Sequence, residues 1–115
     1  MQINNKLINK YSSNETKIGT WYGRPLYRKV FTINSITTSN TNLVDIQSLG
    51  IRDVVKLYGT IYTDNNQYFP MPLTDSSSNY SVIFVTATSI RGRAAIGSGN
   101  FSYCWIAIEY TKQTD

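Results

Sequence analysis

The chain contains no histidine and a single cysteine, Cys104. Zinc sites built from His and Cys ligands are therefore excluded. A disulfide within the chain is impossible, and neither a Ser-His-Asp nor a Cys-His nucleophile can be assembled. Acidic residues number only 7, and charged residues of both signs make up 16% of the chain, well below the roughly 25% of average domains. No apolar run approaches the ~18 residues that a membrane-spanning helix needs. The first residues carry Lys6 and Lys10 but no continuous apolar stretch, so they do not read as a secretory signal. One unpaired cysteine without such a signal points to maturation in a reducing cytoplasm.

What replaces the missing charge is Ser, Thr and Asn, which together fill about three residues in ten, joined by 9 Tyr, 4 Phe and 2 Trp. β-Branched and aromatic residues on a polar, weakly charged background suit half-buried strands. At 115 residues the chain is one domain by length, with a net charge of +4. The positive excess comes mainly from Arg24, Arg28, Lys29, Arg91 and Arg93, scattered rather than run together.

Residues 1–15 are polar and Asn-rich and read as a connector or attachment segment; residues 16–115 read as a single domain. Strands are expected near 17–22, 26–33, 53–63, 80–88 and 102–111, with a hairpin turn at Gly23-Arg24-Pro25. Ile36–Thr41 is β-branched and reads as an edge strand, while Leu43, Ile46, Leu49 and Ile51 suit one helical turn or a loop dipping into the core. Pro70 and Pro72 confine the segment 67–73 to an edge strand or extended arm, since proline lacks the ladder donor. Strand 80–88 is apolar on both faces, a pattern that calls for cover on both sides. Ser89–Arg93 reads as a turn and Ala94–Ile96 as a short return strand. No segment holds a helical period for three turns. About seven or eight short strands joined by turns make an antiparallel β-sandwich. Its expected core is Phe31, Leu57, Ile61, Val82, Phe84, Ile106 and Ile108.

Three segments in order along the chain resemble one known domain. KIGTWYGRPLYRKVF carries a Gly-hydrophobic-Trp hairpin followed by a basic strand; VVKLYGTIYTDNNQYFPMPL carries a Gly-containing central strand and alternating prolines; IAIEYTKQTD closes the run. Together they are similar to the C-terminal receptor-binding or fibre-tip domain of bacteriophage tail and baseplate proteins. The resemblance covers most of 17–115 and leaves out 1–15. It implies a virion protein, assembled in the bacterial host cytoplasm: a homotrimeric, non-enzymatic tip that adheres to host cell-surface carbohydrate, with no cofactor. The alternative is a purely structural virion protein, a head fibre or capsid decoration, that binds other virion proteins through its N-terminal segment. Neither reading involves nucleic acid or membrane insertion.

Individual residues carry competing readings. Trp21 occupies a motif position of the resembling domain and is expected to close the core beneath the hairpin turn; a sugar-stacking platform is the alternative. Tyr103 and Trp105 lie on the stripe of the last strand opposite Cys104, Ile106 and Ile108. A second core layer, a subunit interface and a ligand platform all suit large aromatics there. Arg28 reads as part of a solvated face or as a partner of Glu109 or Asp53. Arg91 and Arg93 flank Gly92 on one face, an arrangement suited to an anionic sugar or a carboxylate. Candidate ligand-binding residues are thus Arg91, Arg93 and Tyr103, and candidate interface residues Tyr103 and Trp105. The acids show no spacing that pairs two carboxyls for glycoside hydrolysis. Receptor contacts are expected on loops 74–79, 89–93 and 97–100.

Overall fold

The computed structural model describes residues 11–64, 66–74, 79–95 and 101–115. Nine strands follow one another: Thr16–Trp21 (β1), Arg24–Ile33 (β2), Thr41–Asp45 (β3), Ile51–Thr63 (β4), Tyr68–Met71 (β5), Leu73–Thr74 (β6), Tyr80–Val85 (β7), Ser89–Ala95 (β8) and Phe101–Lys112 (β9). They form two antiparallel sheets, one ordered β1-β2-β9-β4-β5 and the other β3-β8-β7-β6. The chain is an all-β sandwich, as its period-2 patterning requires.

The alternation of β9 organises the five-stranded sheet. Cys104, Ile106, Ile108 and Tyr110 point inward and are fully buried. The register sets Phe31 and Leu57 beside this stripe, opposite Ile106 and Ile108, and Ile61 opposite Cys104. Ile90 and Ala94 of β8, with Ile33, Ile36, Ile46 and Met71, complete the core between the sheets. Burial places the Cys104 thiol in apolar surroundings and pushes its pKa up to about 12, so it stays an inert thiol.

Gly59 shows how tightly β4 and β9 approach. A Cβ built there would collide with the Trp105 backbone carbonyl, and a backbone atom in mid-ladder has no rotamer by which to yield. Gly59→Ala is expected to cost about 1–3 kcal/mol or more, read as a lowered denaturant midpoint; an unchanged midpoint means the two strands separate more easily than their register suggests.

Several local expectations are corrected. The first turn is Tyr22-Gly23 rather than Gly23-Arg24-Pro25, because Trp21 already pairs with Arg24. Both turn residues have positive φ, 48° and 80°, the requirement of a two-residue type I′ hairpin, whose twist matches the flanking strands. Pro25 is tolerated because β2 pairs with β9 only from Tyr27 onward. The edge strand expected at Ile36–Thr41 begins only at Thr41, where pairing with Gly92 starts; Ile36 instead plugs the core. Residues 47–49 form a 3-10 turn closed by Gly50 in the left-handed region, while Ile46 is buried beside it.

The Pro70–Pro72 segment crosses between the sheets. β5 is an edge of the five-stranded sheet and β6 an edge of the four-stranded one, with a cis Met71–Pro72 bond between them. β7 ends at Val85, not at 88, because Thr86 organises a tight turn. Its hydroxyl accepts from the Ser89 and Thr88 amides at 3.1 and 3.3 Å, and its amide donates to the Ser89 carbonyl at 2.8 Å. Residues 89–93 are therefore strand and not loop, and the return strand starts at Ser89 rather than at Ala94. The other expected contact loops, 74–79 and 97–100, lie almost wholly outside the described residues.

β7 also corrects the expected core. Ser81 is buried, whereas Val82 and Phe84 are each 37% exposed. The strand turns Ser81, Ile83 and Val85 inward, and the Ser81 hydroxyl is satisfied by the Pro70 carbonyl at 3.1 Å across the sandwich. In a two-layer sandwich each sheet has one covered face, so the second apolar stripe of β7 is left outside.

Candidate functional site

Two outer sheet faces carry the chemistry, and they look away from each other. On the five-stranded sheet the outward stripe of β9 is Tyr103, Trp105, Ala107 and Glu109. The register sets it against Tyr62, Thr60, Tyr58 and Lys56 on one side and against Thr32, Val30 and Arg28 on the other. Rings run across this face in sequence. Tyr68, Tyr62, Tyr103 and Trp105 follow at centroid separations of 5.0, 5.2 and 5.0 Å, the last pair edge-to-face, spacings at which aromatic pairs attract beyond simple burial.

Beside this ladder lies an open groove of about 460 Å³. Val30, Ala107 and Trp105 form its apolar floor, Thr32 and Thr60 its polar margins, and Tyr11 and Tyr58 one end. Segment 11–13 forms a wall because the Val30 amide donates to the Ser12 carbonyl at 2.9 Å and Lys29 Nζ to the Ser13 carbonyl at 2.6 Å. Glu15 is held by Tyr110 Oη and by Lys112 Nζ, the latter at 2.5 Å. Residues 11–15 thus pack along the sandwich.

Next to Tyr58, outside the groove lining, lies the one buried carboxylate among the described residues, Glu109, 8% exposed. Arg28 Nε and Nη2 donate to its Oε2 at 3.1 and 3.0 Å, and Tyr58 Oη donates to the same oxygen at 2.9 Å. The Arg28–Glu109 alternative of the sequence reading is the one realised. Tyr11 lays its ring under the Arg28 guanidinium, 3.9 Å from the centroid. Burial first, then hydrogen bonds to Tyr11 and Glu109, push the Tyr58 phenol well above its ordinary pKa. A carboxylate bound by three donors and a phenol held neutral make a structural network. Among the described residues no group of three or more metal-ligating side chains comes together.

The four-stranded sheet presents a different outer face. Phe84 stands opposite Arg91 and Val82 opposite Arg93, and the Arg93 guanidinium lies 5.5 Å from the Tyr80 ring centroid. Gly92 between the two arginines is buried on the core side, where an added Cβ would collide with the Val82 backbone carbonyl. The backbone therefore sits close to its neighbour while both arginines extend outward. Tyr103 lies on the other sheet, so Arg91, Arg93 and Tyr103 do not converge on one site; Tyr103 and Trp105 do share a surface.

Trp21 departs from its expected place. It is 40% exposed and Tyr22 is 90% exposed, their rings edge-to-face at 5.1 Å on the hairpin tip. Trp21 is the last residue of β1, the edge strand of its sheet, and no residue of that strand belongs to the core. Sequence reading missed the aromatic tip because Trp-Tyr-Gly reads as a strand end until the turn is placed.

Comparison with family models, curated proteins and solved structures finds no match to this chain, so function must be reasoned from these two faces and the tip.

Proposed function

We propose that the domain is a non-enzymatic adhesin of a bacteriophage virion, a homotrimer that binds host cell-surface carbohydrate through the outer face of its four-stranded sheet. The observation that carries this reading is the pairing of Phe84 with Arg91 and of Val82 with Arg93 on one exposed surface. An apolar sugar face packs on Phe84 and Val82, as amphipathic ligands do on exposed aromatic surface. A carboxylate or phosphate on the same glycan meets two guanidinium groups that form no ion pair among the described residues. Such a shallow face gives weak affinity per copy, and three copies on one tip raise it through effective concentration. The other outer face, with Tyr103 and Trp105, then serves assembly.

A glycan array probed with the purified chain tests this. Acidic glycans are expected to bind and neutral ones to bind poorly, and the double variant Arg91→Ala/Arg93→Ala is expected to lose at least about tenfold in affinity, corresponding to ~1.4 kcal/mol. Binding to host cells should weaken as salt is raised. Wild-type protein that binds neither glycans nor cells would return the chain to the purely structural virion role.

A further inference from the structure

The Tyr22 backbone sits at φ 48°, a region in which a bulky side chain is uncommon and Asn, Asp and Gly are favoured. Asn-Gly would make the same turn with less strain. Tyr22 is nevertheless 90% exposed and shares the tip with a 40% exposed Trp21. Tyr22 gains little inside the described molecule: its ring meets Trp21 edge-to-face at 5.1 Å and is otherwise open to solvent. Aromatic side chains presented in this way are typical anchors of protein contacts.

The same chain carries a groove suited to receive them. Val30, Ala107 and Trp105 offer an apolar floor, and Ser12, Thr32 and Thr60 line the groove as well, placing hydroxyls where a phenol and an indole N–H need partners. The tip cannot fill its own groove. Tyr22 and Val30 lie on one hairpin, eight residues apart along an extended strand, a span of roughly 26 Å. We propose that the Trp21–Tyr22 tip of one copy docks in the Trp105 groove of a second copy, and that three such contacts close a ring.

This rests on the reading of the protein as a homotrimer and names the surfaces that build it. The contact is heterologous, tip into groove, and heterologous contacts close into rings when the rotation permits. Two aromatic side chains bury on the order of 300 Å² on the tip side, so one contact alone falls short of the roughly 1,600 Å² total of a standard interface. Each copy in a closed ring makes two contacts, and the assembly holds where a single pair would not. The glycan-binding face of the four-stranded sheet stays free in this arrangement, and the two proposals can fail separately.

Light scattering on the full chain reads the result. Wild type at about 100 µM is expected near three times the 13.0 kDa chain mass, dissociating on dilution. Tyr22→Asn should be monomeric and should melt a few degrees above wild type diluted to the monomer, since asparagine is the better turn residue. Thr32→Arg, at an exposed groove margin, should be monomeric and should melt with wild type diluted to the monomer. Mixing the two variants leaves one intact tip and one intact groove, a single contact with no ring to close, so the mixture should stay near the single-chain mass at this concentration. A monomeric wild type at this concentration overturns the proposal and the trimer with it. A trimeric Tyr22→Asn overturns tip docking alone. A mixture of trimeric mass also counts against tip docking. Glycan binding per copy should be equal in wild type and Tyr22→Asn under monomeric dilution; its loss in both strikes the adhesin reading and not this one.

Discussion

Glu109→Ala should lower stability by about 3–5 kcal/mol, the usual result of removing one member of a buried ion pair. The reason lies in what is left behind. Arg28 is 12% exposed on its side chain and sends both Nε and Nη2 to a single Glu109 oxygen. Tyr58 Oη donates to that oxygen too. Without the carboxylate a guanidinium and a phenol stay half-enclosed by Tyr11 and the sheet with their main acceptor gone. The double variant Arg28→Met/Glu109→Leu is expected to recover most of the loss, because an apolar pair of similar volume removes the need for charge. Urea denaturation of the four members of the cycle measures the coupling. A single Glu109→Ala that unfolds at the wild-type midpoint would mean that water already reaches the pair.

Ile106→Ala is the second large effect, expected at about 2–5 kcal/mol. Ile106 is fully buried on the central strand, set between Phe31 and Gly59 in the register. Truncation removes apolar contact and leaves a cavity that Gly59 cannot help to fill. Phe84→Ala makes the control: on the outer face it should cost about 1 kcal/mol or less, as cross-strand pairs do. The sequence pattern alone would rank Phe84 with Ile106. Equal losses for the two would show that the outer face of β7 is covered in solution.

That contrast marks how far the sequence could be read. β4 and β9 were legible because their polar and apolar residues alternate, and a half-buried strand leaves that imprint. The Arg28–Glu109 pair was legible only as one alternative beside a solvated face and Asp53, because alternation along a strand does not say which acid the sheet order brings to Arg28. β7 was not, because Val82 and Phe84 are as apolar as Ile83 and Val85, and hydrophobicity does not say which of two greasy stripes meets the other sheet. Ser81 deepened the ambiguity: its burial depends on the Pro70 carbonyl, a partner supplied by tertiary structure. The turn at Thr86 was hidden in a β-branched run, where a threonine side chain replaces the glycine or proline that usually announces a turn. The candidate site residues were individually recognisable as aromatic or basic, yet their division between two faces depends on sheet order, which no local pattern encodes.

The strand order of the five-stranded sheet has a kinetic consequence. β9 is the middle strand, with Tyr110 opposite Tyr27 on one side and Ile108 opposite Leu57 on the other. Hairpins β1–β2 and β4–β5 can form early from neighbouring segments, but they cannot join each other until β9 slots between them. Until then β2 and β4 each expose an unsatisfied ladder and an apolar stripe. Long loops must close before these pairings stabilise anything, so folding belongs to the slow, high-contact-order class, on the order of milliseconds to seconds. During that interval two sticky edges stand open in a chain of low charge, and intermolecular strand pairing competes with the arrival of β9.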